Sequence, residues 1–196
     1  MDDLGLFDEL SRLGLQLGEV HVSHRGAKHV LTAFGASAQR LTLLSARRRV
    51  YNPPEFCPMD PRMTRLNSFT DVDGPLTLSH CRELRELEIR VWHLGTVELN
   101  LISSITSMNI QKISLTSSLG FEGFSADHTY WTQLDNSLCQ LANKSRRKLE
   151  MVFGEVEAGA RDTKPDFQKY IPRFIEQGLV RVVDKAGKTI VYCSDE

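Results

Sequence analysis

The chain has few cysteines, no metal-binding cysteine pair and almost no excess charge, and each shortage removes a class of function. Cys57, Cys81, Cys139 and Cys193 are widely scattered and no CxxC occurs. That spacing supports neither a zinc knuckle nor a thioredoxin-type redox centre. Net charge is -1, from 24 basic and 25 acidic residues, which argues against a partner held through many phosphate contacts. No apolar run approaches membrane-spanning length, and the acidic, amphipathic start "MDDLGLFDELSRLGLQLGEV" lacks the basic and apolar segments of a signal peptide. Reduced thiols in a cytoplasmic or nuclear setting are the expectation, with no membrane partner. GxGxxG and GxxxxGK[ST] are absent, as is a GxSxG elbow, so neither a nucleotide-cradling loop nor a hydrolase nucleophile is indicated.

What the chain has is repetition. Hydrophobic residues make up 41% and charged residues 25% of 196, enough for a continuous core. Helix-like stretches alternate with short β-type runs. "LGLFDELSRLG" precedes "LGEVHVSH", with Leu6, Leu10, Val20 and Val22 inward, and "AKHVLTAFGASAQ" precedes "RLTLLSA". "VELNLISSITSM" precedes "IQKISLTS", "WTQLDNSLCQLANKS" precedes "RKLEMVFGEV", and "DFQKYIPRFIEQG" precedes "LVRVVD". Strand centres fall near 21, 42, 88, 113, 151 and 181, with shortest steps of about twenty to twenty-five residues. Residues 45–75 hold five of the seven prolines and read as a long surface loop or a degenerate repeat.

Neither a short strand nor a helix with one apolar stripe can bury its surface alone. Stacked helix–strand units bury both. The pattern therefore predicts a single α/β domain over 1–196. It is an irregular leucine-rich-repeat-like solenoid, with a parallel curved sheet and helices on one side. "LVRVVD" and "TIVYC" around "KAGK" predict a C-terminal hairpin that caps the sheet edge. A doubly wound sheet is the competing arrangement.

The stretch "LTLSHCRELRELEIRV" holds the densest repeat signal. Leu76, Leu78 and Cys81 fit the approach to a strand, and Leu84, Leu87 and Ile89 fit the strand itself. Leu87, Ile89 and Val91 then point inward while Glu86, Glu88 and Arg90 face solvent. "SHCRELRELEIRV", "WTQLDNSLCQLANKSRRKLEMVF" and "IPRFIEQGLVRVVD" together resemble the C-terminal leucine-rich-repeat-like region of F-box-type proteins of mushroom-forming fungi. That resemblance implies a substrate-recognition scaffold for a cullin-type ubiquitin ligase, with no catalytic residues of its own. An F-box is a helical module opening with Leu-Pro. "LGLFDELSRLG" has no Pro and leads straight into a strand, so docking to a ligase adaptor is not expected from these residues.

The predicted partner surface is the outward side chains Glu86, Glu88 and Arg90, with Trp92 beyond that strand and Lys112 and Ser114 on the next. The expected function is a non-enzymatic protein-interaction scaffold, with a protein partner and no cofactor. The rival readings are a small α/β enzyme with a pocket at strand C-termini, where His93 is the one polar candidate, and a weak nucleic-acid or phosphate-binding domain. The last would use Arg47, Arg48 and Arg49, or Lys144, Arg146, Arg147 and Lys148. Aromatics interleave with neither cluster, and cations at a helix C-terminus complement its dipole. His21, His24 and His29 are dense, but strand alternation separates the first two, so no metal site is expected. His80 and Cys81 offer two of the four ligands that zinc needs. Asp71 and Asp73 in "FTDVDG" read as turn residues, because the remaining ligands of a calcium loop are missing. Trp131, heading an amphipathic helix, is expected in the core.

Overall fold

A computed structural model describes residues 19–23, 27–44, 70–71, 74–91, 95–117, 128–156, 167–184 and 188–192. Among these, β1 (Glu19–Ser23), β2 (Arg40–Leu44), β5 (Glu86–Val91), β6 (Lys112–Ser117), β7 (Glu150–Val156) and β8 (Leu179–Asp184) are parallel and lie side by side in chain order. β9 (Thr189–Tyr192) closes the row antiparallel to β8, pairing Val180 with Tyr192 and Val182 with Ile190. The molecule is thus an α/β protein with an open, mainly parallel sheet. Strand positions and the closing hairpin match the periodicity. The predicted first helix and inward Leu6 and Leu10 lie outside the described residues, as do most of 45–75. Within that stretch the two-residue strands β3 (Thr70–Asp71) and β4 (Gly74–Pro75) pair with each other, Asp71 opposite Gly74.

Five helices are described: α1 (Ala27–Phe34), α2 (Thr96–Ser103), α3 (His128–Lys144), α4 (Phe167–Tyr170) and α5 (Pro172–Gln177). α3 begins three residues before the expected Trp131. The final helix "DFQKYIPRFIEQG" is two pieces, and the reason is Pro172. It has no N–H to continue the helix and disfavours the α conformation at Ile171, where φ is -134° and ψ 53°. α5 then starts afresh with Pro172 in its first turn.

Strand alternation divides the sheet into two chemistries. Leu41, Leu43, Leu87, Ile89, Ile113, Leu115, Met151, Phe153, Val180 and Val182 are buried in one cluster with the apolar stripes of the helices. Trp131 sits at its aromatic centre, 2% exposed, stacked on Tyr170 at 4.8 Å and 6.1 Å from Phe153 and Phe167. Phe153 stacks on Phe167 at 4.3 Å, joining β7 to α4. Gly178, between α5 and β8, has no room for a side chain: a Cβ there would lie 2.3 Å from the Phe174 ring.

The turns entering the strands repeat one geometry. Ala38, Leu84 and Ile110 are buried three residues ahead of Leu41, Leu87 and Ile113, and five ahead of Leu43, Ile89 and Leu115. Three residues earlier again come Gly35, Cys81 and Ser107, and Ser145 stands in the corresponding turn before β7. The buried Cys81 sulfur would lie 3.1 Å from a Cβ on Gly35. The Ser107 hydroxyl donates to Leu84 O at 2.7 Å and the Ser145 hydroxyl to Ile110 O at 2.6 Å. The two serines of this column satisfy backbone carbonyls of the preceding unit, which a turn buried between neighbours requires.

Candidate functional site

The other side of the sheet carries the predicted polar residues, and the register sets them in rows. Glu19, Arg40, Glu86, Lys112 and Glu150 lie opposite one another across β1, β2, β5, β6 and β7, alternating in sign. The next outward row holds Thr42, Glu88, Ser114, Val152 and Arg181. Opposite charges placed directly across a ladder attract, whereas like charges there would destabilise the sheet.

Three salt bridges consume most of this charge. Arg40 Nε meets Glu86 Oε1 at 3.3 Å, Arg90 Nε meets Glu88 Oε1 at 2.7 Å, and Arg181 Nε meets Glu150 Oε1 at 3.0 Å. The Thr42 hydroxyl also reaches Glu88 Oε2, at 3.4 Å. Lys112 stands between Glu86 and Glu150 but both acids turn to arginines, so it makes no salt bridge among the described residues. Around it lies a depression of about 180 Å³, lined by Glu19, Arg40, Leu41, Thr42, Glu86, Leu87, Glu88, Lys112 and Ser114. Four predicted residues, Glu86, Glu88, Lys112 and Ser114, converge there. Arg90 joins through its bond to Glu88. Trp92 and His93 lie outside the described residues, as do His24 and Arg47 to Arg49.

Comparison with protein-family models, with curated proteins and with solved structures finds no match to this chain.

The polar residues that sequence reasoning missed are buried among the helices. Asp135 lies on the buried side of α3, where its carboxylate accepts the Phe174 N–H at 2.9 Å and caps the first turn of α5 from another helix. On α2, Glu98 is 2% exposed and its Oε2 accepts the Gly95 N–H at 2.8 Å. That is one half of a capping box, the only half possible when the N-cap is glycine. Burial pushes the Glu98 carboxyl up to about 7, against the lowering effect of its bonds to backbone N–H groups of Glu98 and Gly95. Tyr130, at the start of α3, is 4% exposed, and its hydroxyl has no hydrogen-bond partner among the described residues. Burial and the neighbouring Glu98 charge raise its pKa. A capping-box spacing, Gly95 to Glu98, was the signal available for Glu98; nothing local marks Asp135.

The described thiols are buried. Burial pushes Cys81 up to about 11, and Cys139 is raised by burial and then by Asp135. A buried neutral thiol is a poor nucleophile and a poor ligand. His80 is exposed, and no cluster of three metal-ligating side chains occurs among the described residues. No described helix is long and apolar enough to cross a membrane.

Proposed function

We propose that this chain is a non-enzymatic protein-interaction scaffold, built as a short leucine-rich-repeat-like solenoid, whose outward sheet face receives a protein partner. The observation that carries this reading is the depression around Lys112, a polar surface assembled from four adjacent strands above the buried Leu41, Leu43, Leu87, Ile89, Ile113 and Leu115. Strand order that follows chain order supports the solenoid. Parallel crossovers share one hand, so successive described helices come to the same side, and no described helix covers the other. The recurrent spacing at 38/41/43, 84/87/89 and 110/113/115 supports it too, as does the column of Gly35, Cys81, Ser107 and Ser145.

Solvent-exposed ion pairs are inexpensive to rearrange, each being worth about 0 to 1 kcal/mol. A partner can therefore exchange Arg40–Glu86 or Glu88–Arg90 for its own charges, while Lys112 offers an ammonium that no local acid occupies. In the F-box-type reading the partner is a substrate presented to a ubiquitin ligase. The test is quantitative capture from source cells with the wild type and the double variant Glu86→Lys, Glu88→Lys, followed by titration of the purified partner. A partner that the variant binds at least about tenfold more weakly, with unchanged thermal unfolding, supports the face. Equal affinity removes it. Ligase adaptor subunits among the captured proteins support the ubiquitin reading, and their absence leaves the scaffold without it.

A further inference from the structure

A second charged surface lies along the edge where the strands begin. Arg82 and Arg85 precede β5, Met108 and Asn109 precede β6, and Arg146, Arg147 and Lys148 precede β7, just after Lys144 closes α3. These turns are bonded to one another. Gln111 and Lys112 N–H donate to Arg85 O at 2.8 and 3.1 Å, Arg146 N–H donates to Met108 O at 3.0 Å, and Asn109 Nδ2 donates to Glu83 Oε2 at 3.3 Å. Because β5, β6 and β7 are sheet neighbours, the first turn and the third are only about 10 Å apart.

All six cations are exposed, and none makes a salt bridge among the described residues. Glu83 is the single acid in these turns. The α3 dipole accounts for Lys144 but not for Arg82 and Arg85, which no described helix directly precedes. Met108 stands 49% exposed between the two basic groups, one of few large apolar side chains so exposed among the described residues.

We propose that this edge is a docking surface for an acidic protein segment, whose carboxylates meet the six cations and whose central apolar side chain rests on Met108. The turns span roughly three or four residues of extended chain, the reach such a segment needs. Arginine forks match carboxylates, and methionine adapts its shape to varied apolar partners. A nucleic acid is less well served: the described turns hold no Phe, Tyr or Trp for base stacking, His80 being their one aromatic ring, and a phosphate backbone gains nothing from Met108. A single methionine gives a membrane surface little to insert. None of the six cations lines the depression around Lys112, and the inference does not rest on the function of the outward face.

The experiment is fluorescence anisotropy of the full chain with a labelled glutamate peptide containing one central leucine. The same peptide with serine in place of leucine, a uridine oligonucleotide and phosphatidylserine vesicles run in parallel. Binding of the leucine peptide should weaken at least about tenfold in Arg82→Glu, Arg85→Glu and in Arg146→Glu, Arg147→Glu. It should also weaken steeply with salt, and not in Glu86→Lys, Glu88→Lys. Met108→Ser should weaken the leucine peptide about threefold or more and leave the serine peptide unchanged. The glutamine versions of the arginine changes give the same ranking should reversal disturb folding. Absence of peptide binding, binding indifferent to these changes, or tighter binding of the oligonucleotide or vesicles would overturn the proposal.

Discussion

Polar side chains on the outward sheet face and those inside the helical layer are of the same kinds, yet their energetics are opposite. On the face, Glu86, Glu88 and Glu150 each meet an arginine in water, and each pair can be broken at small cost. Among the helices, Glu98 and Asp135 accept backbone N–H groups and make no salt bridge among the described residues, and they are 2% and 5% exposed. A buried carboxylate bound to backbone fixes geometry and is costly to disturb, whereas an exposed pair fixes little and remains available to a partner. Under the proposed function, stability and recognition belong to opposite sides of the sheet, so changes on one side should leave the other property intact.

The sharpest way to break that division is pH. Glu98 ionises with a folded pKa near 7, above its ordinary 4.5. The folded state therefore binds a proton that the unfolded state has released. The resulting stability is fully present below about pH 4.5 and lost as pH rises through 7, an effect of roughly 3 kcal/mol between the two ends. Urea unfolding of Glu98→Gln should flatten this dependence. A wild-type profile without a fall between pH 5 and 8, or a variant profile identical to it, would show that the carboxylate is not held dry.

Next in size is Asp135→Ala, which leaves the Phe174 N–H without its acceptor inside the core and should cost about 2 kcal/mol. Asp135→Asn keeps an oxygen there and should recover about half. A smaller effect, about 1 kcal/mol, is expected for Ser107→Ala, whose hydroxyl joins the β6 turn to Leu84. Smallest is Arg40→Gln with Glu86→Gln, expected to move stability by under about 0.5 kcal/mol. Were the face pair to cost as much as Asp135, the contrast would fail.

How much of this was legible beforehand depends on the range of the interaction. Strand alternation in "RELEIR" and "QKISLTS" marks Glu86, Glu88, Arg90, Lys112 and Ser114 as outward, and the register then places them side by side. The Asp135 cap was not legible, because its partner lies 39 residues away and Asp135 occupies a helical position that otherwise reads as part of the stripe. The split of the last helix is marked locally by Pro172. The basic clusters were read one at a time, and "NKSRRK" alone is explained by a helix dipole. Its significance arises only when Arg82 and Arg85, some sixty residues earlier by sequence, stand two strands away.

Sequence by itself determined the two-sidedness of the sheet, the number of parallel strands and the apolar spacing that stacks them. Periods of two and of about 3.6 residues are properties of a local backbone, and burial follows from them directly. Tertiary structure alone decided which carboxylate caps which helix, which lysine is left without an acid, and which separate cations share an edge. Those outcomes depend on distances of a few ångströms between segments remote in the chain, and electrostatic and hydrogen-bond energies fall away too quickly with distance for composition to foretell them.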